Sequence, residues 1–389
     1  MHRKQLVIIA AMITATFIGF GIIIPIMPEL PVVTHFHLNL MLAIYSAASF
    51  LMSPVWGSVS DRVGRRPVIL TGLVGYTLSF LLLALSLDEL WLIYVARLLG
   101  GLFSGAVISC AVAYVADITT DEERTKGMGV VGMSIGLGFI IGPGVGGLLS
   151  VWGLRAPFLA STALTFLLLL FALRSLHESL PRERRRQAGG KKRESRWKAF
   201  QGSLKYLYGL GFVASFTLAG LEGTLQFFQM EKIGVTAVQM GGMLFANGIV
   251  GAMIQGGIVR RYVKKGSEPC VMLIGLLFCA AGFALLLLSS NVWNATLYLC
   301  IFSVGNALVR PCITSLITQK TTVGQGVASG LSSSMDSLGR ICGPLFATAL
   351  YGLGIHLPFV AGAVISIAST ALIFRFIALD RARTETVRA

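Results

Sequence analysis

Apolar residues fall into twelve long blocks separated by short polar turns, at positions 6–27, 40–60, 67–87, 90–115, 127–151, 156–173, 207–229, 240–259, 270–288, 293–318, 324–353 and 357–377. Each block is close to the roughly 20 residues that an α-helix needs to cross about 30 Å of hydrocarbon. The pattern predicts an all-α integral membrane protein of twelve transmembrane helices. The first block has the position of a signal peptide, but it is longer than a typical signal core and runs into Pro25 and Pro28 without a small-residue cleavage site. It is read as a permanent helix.

Composition agrees with lipid as the main solvent. Charged residues make up 13 % of the chain, hydrophobic residues 55 %, and the mean hydropathy is +0.78. The net charge of +15 raises the question of nucleic acid, and the placement of the basic residues answers it. With a cytoplasmic N-terminus, 27 of the 32 lysines and arginines fall on the tails and turns of the cytoplasmic side, and only Arg155 and Lys232 fall outside. That asymmetry is the positive-inside signature of a multi-pass protein of the inner (cytoplasmic) membrane with both termini in the cytoplasm, and it excludes a nucleic-acid partner. The six cysteines lie in apolar blocks without metal-ligand spacing and read as small core residues.

One long polar segment, residues 175–205, divides the chain nearly in half. With Arg174 it carries eleven basic and three acidic residues, and it reads as a cytoplasmic linker that touches anionic lipid headgroups. An N-terminal six-helix bundle (1–174) and a C-terminal one (206–389) are therefore expected. The halves look related. Gly142-Pro143 in the fifth block recurs as Gly343-Pro344 in the eleventh, 201 residues later, and Gly57 has a counterpart in Gly256 or Gly257. Such internal duplication predicts two pseudo-symmetric bundles with a substrate site near the bilayer midplane, opened to either side by rocking.

Three motifs carry more than topology. Residues 57–67, GSVSDRVGRRP, put Gly57 where helices can approach closely, Asp61, Arg62 and Arg66 at a tight turn, and Pro67 at the start of the next helix. The fourth block contains RLLGGLFSGA, with Arg97 about two turns into the membrane. The fifth contains GLGFIIGPGVGG, in which Gly142 and Gly146 favour close packing and Pro143 bends the helix. Together these stretches resemble the signature loop, the intramembrane arginine motif and the antiporter motif of the major facilitator superfamily. The resemblance implies that fold, a latch function for the charged loop, and transport by antiport.

Arg97, Glu222, Arg310, Asp336 and Arg340 lie inside the apolar blocks. At about 3 kcal/mol each for insertion, five such charges cost on the order of 15 kcal/mol, as much as a domain's net stability. Asp336 and Arg340 are four apart on one block, which favours an ion pair along a helix face. Glu222 has no partner of opposite charge within a turn, but Gln226 and Gln229 follow it at i+4 and i+7, a polar stripe suited to a cavity wall. Glu222 is therefore the expected proton-coupling carboxylate, a site for which protons and substrate compete.

The stretches SFTLAGLEGTLQ around Glu222, NALVRPCIT around Arg310 and SMDSLGRICGP in the eleventh block resemble the Nor- and Bmr-type multidrug efflux pumps of Gram-positive bacteria over essentially the whole chain. That resemblance implies a second acid three residues before Arg310. Here the position is Ala307, with Asn306 beside it, so a two-carboxylate scheme cannot be carried over and Asp336 is the remaining candidate for a second acid.

The expected function is proton-driven export of small amphipathic molecules by a chain complete as a monomer, with Arg97, Asn306, Arg310, Arg340, Gln226 and Gln229 in the substrate cavity. Three arginines against two acids favour zwitterionic or anionic substrates. The alternatives are a dedicated exporter of one small anionic metabolite such as a metallophore, a sugar exporter, and a nontransporting membrane receptor. An enzyme is not expected, since no nucleophile elbow or phosphate loop occurs. No cofactor is expected, and the His35 and His37 pair is too sparse to predict a metal site.

Overall fold

The computed structural model describes residues 3–180, 200, 202–259, 261, 263, 266–321 and 325–388. Most of the basic linker thus lies outside the described residues. The chain runs through α1 (Arg3–Ile26), α2 (His35–Val63), α3 (Arg65–Leu85), α4 (Leu90–Ile118), α5 (Asp121–Leu149) and α6 (Ala156–Ser175). It resumes with α7 (Leu204–Ile233), α8 (Ala237–Met253), α9 (Glu268–Leu286), α10 (Val292–Lys320) and α11 (Gln325–Leu353). Two further helices, α12 (Leu357–Ala368) and α13 (Thr370–Arg388), continue one another through Ser369, whose backbone stays helical.

The helices overrun the apolar blocks because polar caps, not the edge of the hydrocarbon, stop them. Thr34 accepts from the His37 N–H to start α2, Thr120 accepts from Glu123 to start α5, and Asn291 and Asn294 form a reciprocal capping box at α10. A single residue, Gly64, separates α2 from α3. Its φ of +118° is open to glycine and strained for other residues. α8 ends in one π-helical turn, Ile254–Val259, at the Gly256-Gly257 pair.

Among the described residues, eleven spans are long and apolar enough to cross a membrane. The twelfth expected crosser, α11, has 29 residues but a more polar composition, because it carries Asp336, Arg340 and a run of serines. Large apolar side chains elsewhere face outward, as lipid solvation requires. Trp91, Trp152 and Trp293 are exposed at helix ends, the place of interfacial anchors.

By internal contacts the chain separates into two units. One comprises 1–192 with the start of α8 (236–245), and the other comprises 193–235 with 246–389. This division differs from the expected boundaries in the first turns of α8. There Gly241 has no side chain to hold it off α5, and a Cβ on it would stand 2.6 Å from the Pro143 carbonyl oxygen.

Each unit is built on the same glycine seam. In the first, a Cβ on Gly142 would stand 2.7 Å from the Ile18 carbonyl oxygen and one on Gly146 2.8 Å from that of Ile22, so α5 lies against α1 backbone to backbone. In the second, Gly343 of α11 meets the Phe216 carbonyl of α7, and a Cβ on Gly220 would stand 3.2 Å from the Gly343 carbonyl oxygen. Without side chains at these positions, dispersion and carbonyl contacts replace a hydrophobic drive that lipid does not provide. Apolar clusters back each seam, with Ile9, Ile13, Ile69, Val107 and Tyr114 in the first unit and Leu207, Tyr208, Met272 and Ile313 in the second.

Gly57 behaves differently from its expected role. No heavy atom lies within 4 Å of where its Cβ would stand, so the close approach predicted there is not made, and Gly256 and Gly257 are open in the same way. Gly142→Val and Gly343→Val should each lower the thermal midpoint measured by fluorescence-detected size exclusion, because overpacking at a seam costs about 1–3 kcal/mol. Gly57→Ala should leave the midpoint unchanged; an equal loss at Gly57 would contradict the open environment described.

Candidate functional site

The candidate side chains form three groups, two in the first unit and one in the second. The first sits at the α2–α3 turn. Arg65, with a side chain only 10 % exposed, is held 2.7 Å from Asp61 on α2 and 3.0 Å from Asp117 at the end of α4, and it also donates to Ser60 Oγ. The Glu178 carboxylate, just beyond α6, accepts from the backbone N–H groups of Arg65 (2.8 Å) and Arg66 (3.2 Å) and so caps α3. Ser179 donates to Asp117 at 3.1 Å, and the Arg66 guanidinium donates to the Leu173 carbonyl at 2.7 Å. Of the residues expected here, Asp61 and Arg66 belong to this network, while Arg62 is exposed.

Arg65, Asp117 and Glu178 are its centre and were not singled out by sequence reasoning. Arg65 carries a local signal, the i+4 spacing from Asp61. Asp117 and Glu178 are 52 and 113 residues away and carry none.

The second group surrounds Arg97 on α4, which is 3 % exposed. Its guanidinium carbon lies 4.4 Å from the ring centroid of Tyr45 and 5.8 Å from that of Phe20. Phe20 in turn packs on Phe139, with ring centroids 5.5 Å apart. Nε and Nη2 of Arg97 are buried without a hydrogen-bond acceptor, and among the described residues no carboxylate forms an ion pair with it. Two ring faces offer about 1–2 kcal/mol. Inserting the cation costs about 3 kcal/mol or more, and each unsatisfied donor adds about 1–3 kcal/mol. The cation is underpaid by its own fold.

The third group joins α7, α10 and α11. Glu222, with a side chain 14 % exposed, lies 3.8 Å from Arg340, and Asp336 lies 3.7 Å from Arg310. Ser215, two turns before Glu222 on α7, donates to Asp336 Oδ1 at 2.7 Å and accepts from Arg310 Nη2. The expectation of an Asp336–Arg340 pair along α11 therefore gives way to pairs that cross between helices. An i+4 spacing permits contact, but the facing helices offer each α11 charge a partner of its own. The Glu222–Arg340 separation exceeds hydrogen-bond length, and no other described residue donates to that carboxylate.

Gln226 and Gln229 depart from their expected place. Both are buried, at 1 % and 0 % exposure, and Gln229 donates to Ser289 Oγ at 3.1 Å within its own unit. Ser289 satisfies Nε2 of Gln229, which offsets part of the cost of burying that amide. Asn306 is half-buried one turn before Arg310, and Ala307 is 2 % exposed. His37 is engaged through Nδ1, 2.9 Å from the Tyr94 hydroxyl.

These features, charged turn, buried arginine and glycine-proline seam on a bundle with eleven apolar spans among the described residues, coincide with a known family. The family model described as the Major Facilitator Superfamily matches residues 9–331 and 266–389. The chain belongs to the major facilitator superfamily. It is 31 % identical to multidrug resistance protein 2 of Bacillus subtilis over 379 residues, covering 95 % of this chain and 94 % of the relative. It is 30 % identical to the class C tetracycline resistance protein of Escherichia coli, covering 90 % of each. Among solved structures it is similar to the human organic anion transporter MFSD10, with a TM-score of 0.72, 26 % identity, and coverage of 95 % and 99 %. This major facilitator protein is thus a multi-pass membrane transporter for small molecules.

Asp117→Asn should destabilise it by about 1–3 kcal/mol, since Arg65 is left with a weaker set of buried partners. Asp88→Ala removes an exposed partner of Arg155, whose side chains are 87 % and 59 % exposed, and should cost nothing measurable. Thermal midpoints of the purified variants compare the two, and equal shifts would refute the ranking.

Proposed function

We propose that this transporter is a proton-coupled exporter of small amphipathic molecules, acting as a monomer in the cytoplasmic (inner) membrane with both termini inside, and that Glu222 is its main proton-coupling carboxylate. One observation carries the reading. Glu222 is a largely buried acid whose ion-pair partner is an arginine at 3.8 Å, too far for a hydrogen bond. A carboxylate fixed by short hydrogen bonds is committed to its charged form, whereas this one is free to exchange a proton for an interaction with cargo. Asp336, tied to Ser215 and Arg310, is more firmly held and serves as the second acid. The names of the B. subtilis and E. coli relatives, which refer to multidrug and tetracycline resistance, support export of drug-like molecules.

One acid is sufficient energetically. A proton moving inward through about 150 mV releases about 3.5 kcal/mol. That free energy holds a neutral substrate at a gradient of roughly 300-fold.

A narrower reading, export of anionic metabolites, is favoured by Arg97, which has no acidic partner among the described residues, and by the organic anion transporter among the similar structures.

Inside-out vesicles energised by respiration test the proposal. Wild type should accumulate labelled drugs in an uncoupler-sensitive way, and Glu222→Gln should reduce that accumulation to background while leaving the protein folded. Full-rate, uncoupler-sensitive accumulation in the variant would remove Glu222 from the mechanism.

A further inference from the structure

We propose that a crevice between α11 and α12 of the second unit holds one acyl chain of a bilayer phospholipid, with the lipid phosphate at Lys232. The inference requires only that the chain spans a membrane and does not depend on the exporter reading above. The crevice has a volume of about 320 Å³ and is walled by the rings of Phe216, Phe283, Phe346 and Phe359. Its hollow follows from the glycine seam. Gly220 and Gly343 bring α7 and α11 together without side chains, and Gly362 of α12 leaves room for the Phe283 ring, which a Cβ there would meet at 2.6 Å. Leu345 and Phe346 on α11 and Val360 and Val364 on α12 are exposed beside it, so the mouth opens on the apolar surface that faces lipid.

The lining selects a hydrocarbon chain over drug-like cargo, because small-molecule sites aim a few polar groups at their ligand. The hydroxyls at hand belong to Thr217 and Thr224, and each donates at 2.9 Å to a carbonyl of its own helix, that of Val213 or Gly220. Water finds few partners in such a space, whereas an acyl chain needs none. The length fits as well. The crevice follows α7 from Phe216 to Thr224 and α12 from Pro358 to Ile365. At 1.5 Å per residue that is about 12 Å, against roughly 15 Å of hydrocarbon in one leaflet.

The end of the crevice at the α11–α12 turn carries the charge. Phe359 packs on Phe228 with ring centroids 4.3 Å apart, and Lys232 Nζ lies 5.3 Å from the Phe228 centroid. His356 stands edge-on to the same ring at 5.6 Å. Lys232 donates to the Leu287 carbonyl at the end of α9, which occupies one of its three donors and sets the ammonium at the level where the helix ends. The adjacent Glu231 carboxylate is engaged by the Tyr351 hydroxyl at 3.1 Å, and among the described residues no carboxylate forms an ion pair with Lys232. A cation with donors to spare at the mouth of an apolar slot is complementary to a phosphate at the head of a chain.

Native mass spectrometry of the full chain in detergent micelles, titrated with dioleoylphosphatidylglycerol, tests the site. Wild type should retain one lipid. Ile365→Trp, which fills the crevice, and Phe346→Ala, which removes an exposed part of its wall, should each raise Kd about tenfold, and Lys232→Gln about fivefold. Val364→Phe, on the exposed face beside the crevice, should stay within about twofold of wild type. Dioleoylglycerol, the same chains without the phosphate, should bind wild type about fivefold more weakly and be indifferent to Lys232→Gln. Glycerol phosphate alone should not displace the lipid. Thermal midpoints identify folded variants, and Phe346→Ala carries the comparison should Ile365→Trp unfold. Unchanged binding in the folded crevice variants, an equal loss in Val364→Phe, equal affinity for the two lipids, or displacement by glycerol phosphate would each overturn the site.

Discussion

Inside hydrocarbon a peptide group or a charge has no water to turn to, and this absence governs nearly every feature of the molecule. Backbone groups are satisfied by running as helices of up to 30 residues. Side-chain charges are satisfied by meeting an opposite charge, a hydroxyl or an aromatic face. Helix association, deprived of a hydrophobic drive, falls to positions where side chains are missing. The Gly142 and Gly343 seams are the same solution used twice, once in each unit, and the second joins the helices that carry Glu222 and Asp336.

The two units share a plan but not a charge economy. In the second, arginines and carboxylates alternate across α7, α10 and α11, so each charge has a counterpart, with Ser215 bridging Asp336 and Arg310. In the first, the charges divide by depth. Arg65 at the helix turn has two aspartates and a serine, while Arg97 within the span has only rings. The fold meets the needs of Arg65 fully, whereas Nε and Nη2 of Arg97 stay buried without an acceptor.

Much of this was legible in the sequence because the relevant signals are local. Blocks of apolar residues marked the spans, Gly-Pro pairs marked the seams, and isolated charges within the blocks marked the charged clusters. What escaped depends on contacts between distant segments. Asp117 and Glu178 look like ordinary polar residues near helix ends until α4 and the segment after α6 converge on Arg65. Spacing alone joined Asp336 to Arg340, whereas helix facing joined them to Arg310 and Glu222. Gln226 and Gln229 read as a polar stripe because periodicity reports a shared face without reporting whether that face meets open space or Ser289.

The one-residue connection at Gly64 couples the length of the chain to the aim of its charges. Each residue added to a helix turns everything beyond it by about 100°. An insertion at this joint would swing the face of α3, carrying Arg65 away from Asp117 and the two N–H groups away from Glu178. The turn between α2 and α3 therefore has a fixed length as well as a fixed chemistry, and it behaves as a phase lock that sets the rotation of one helix against its neighbours.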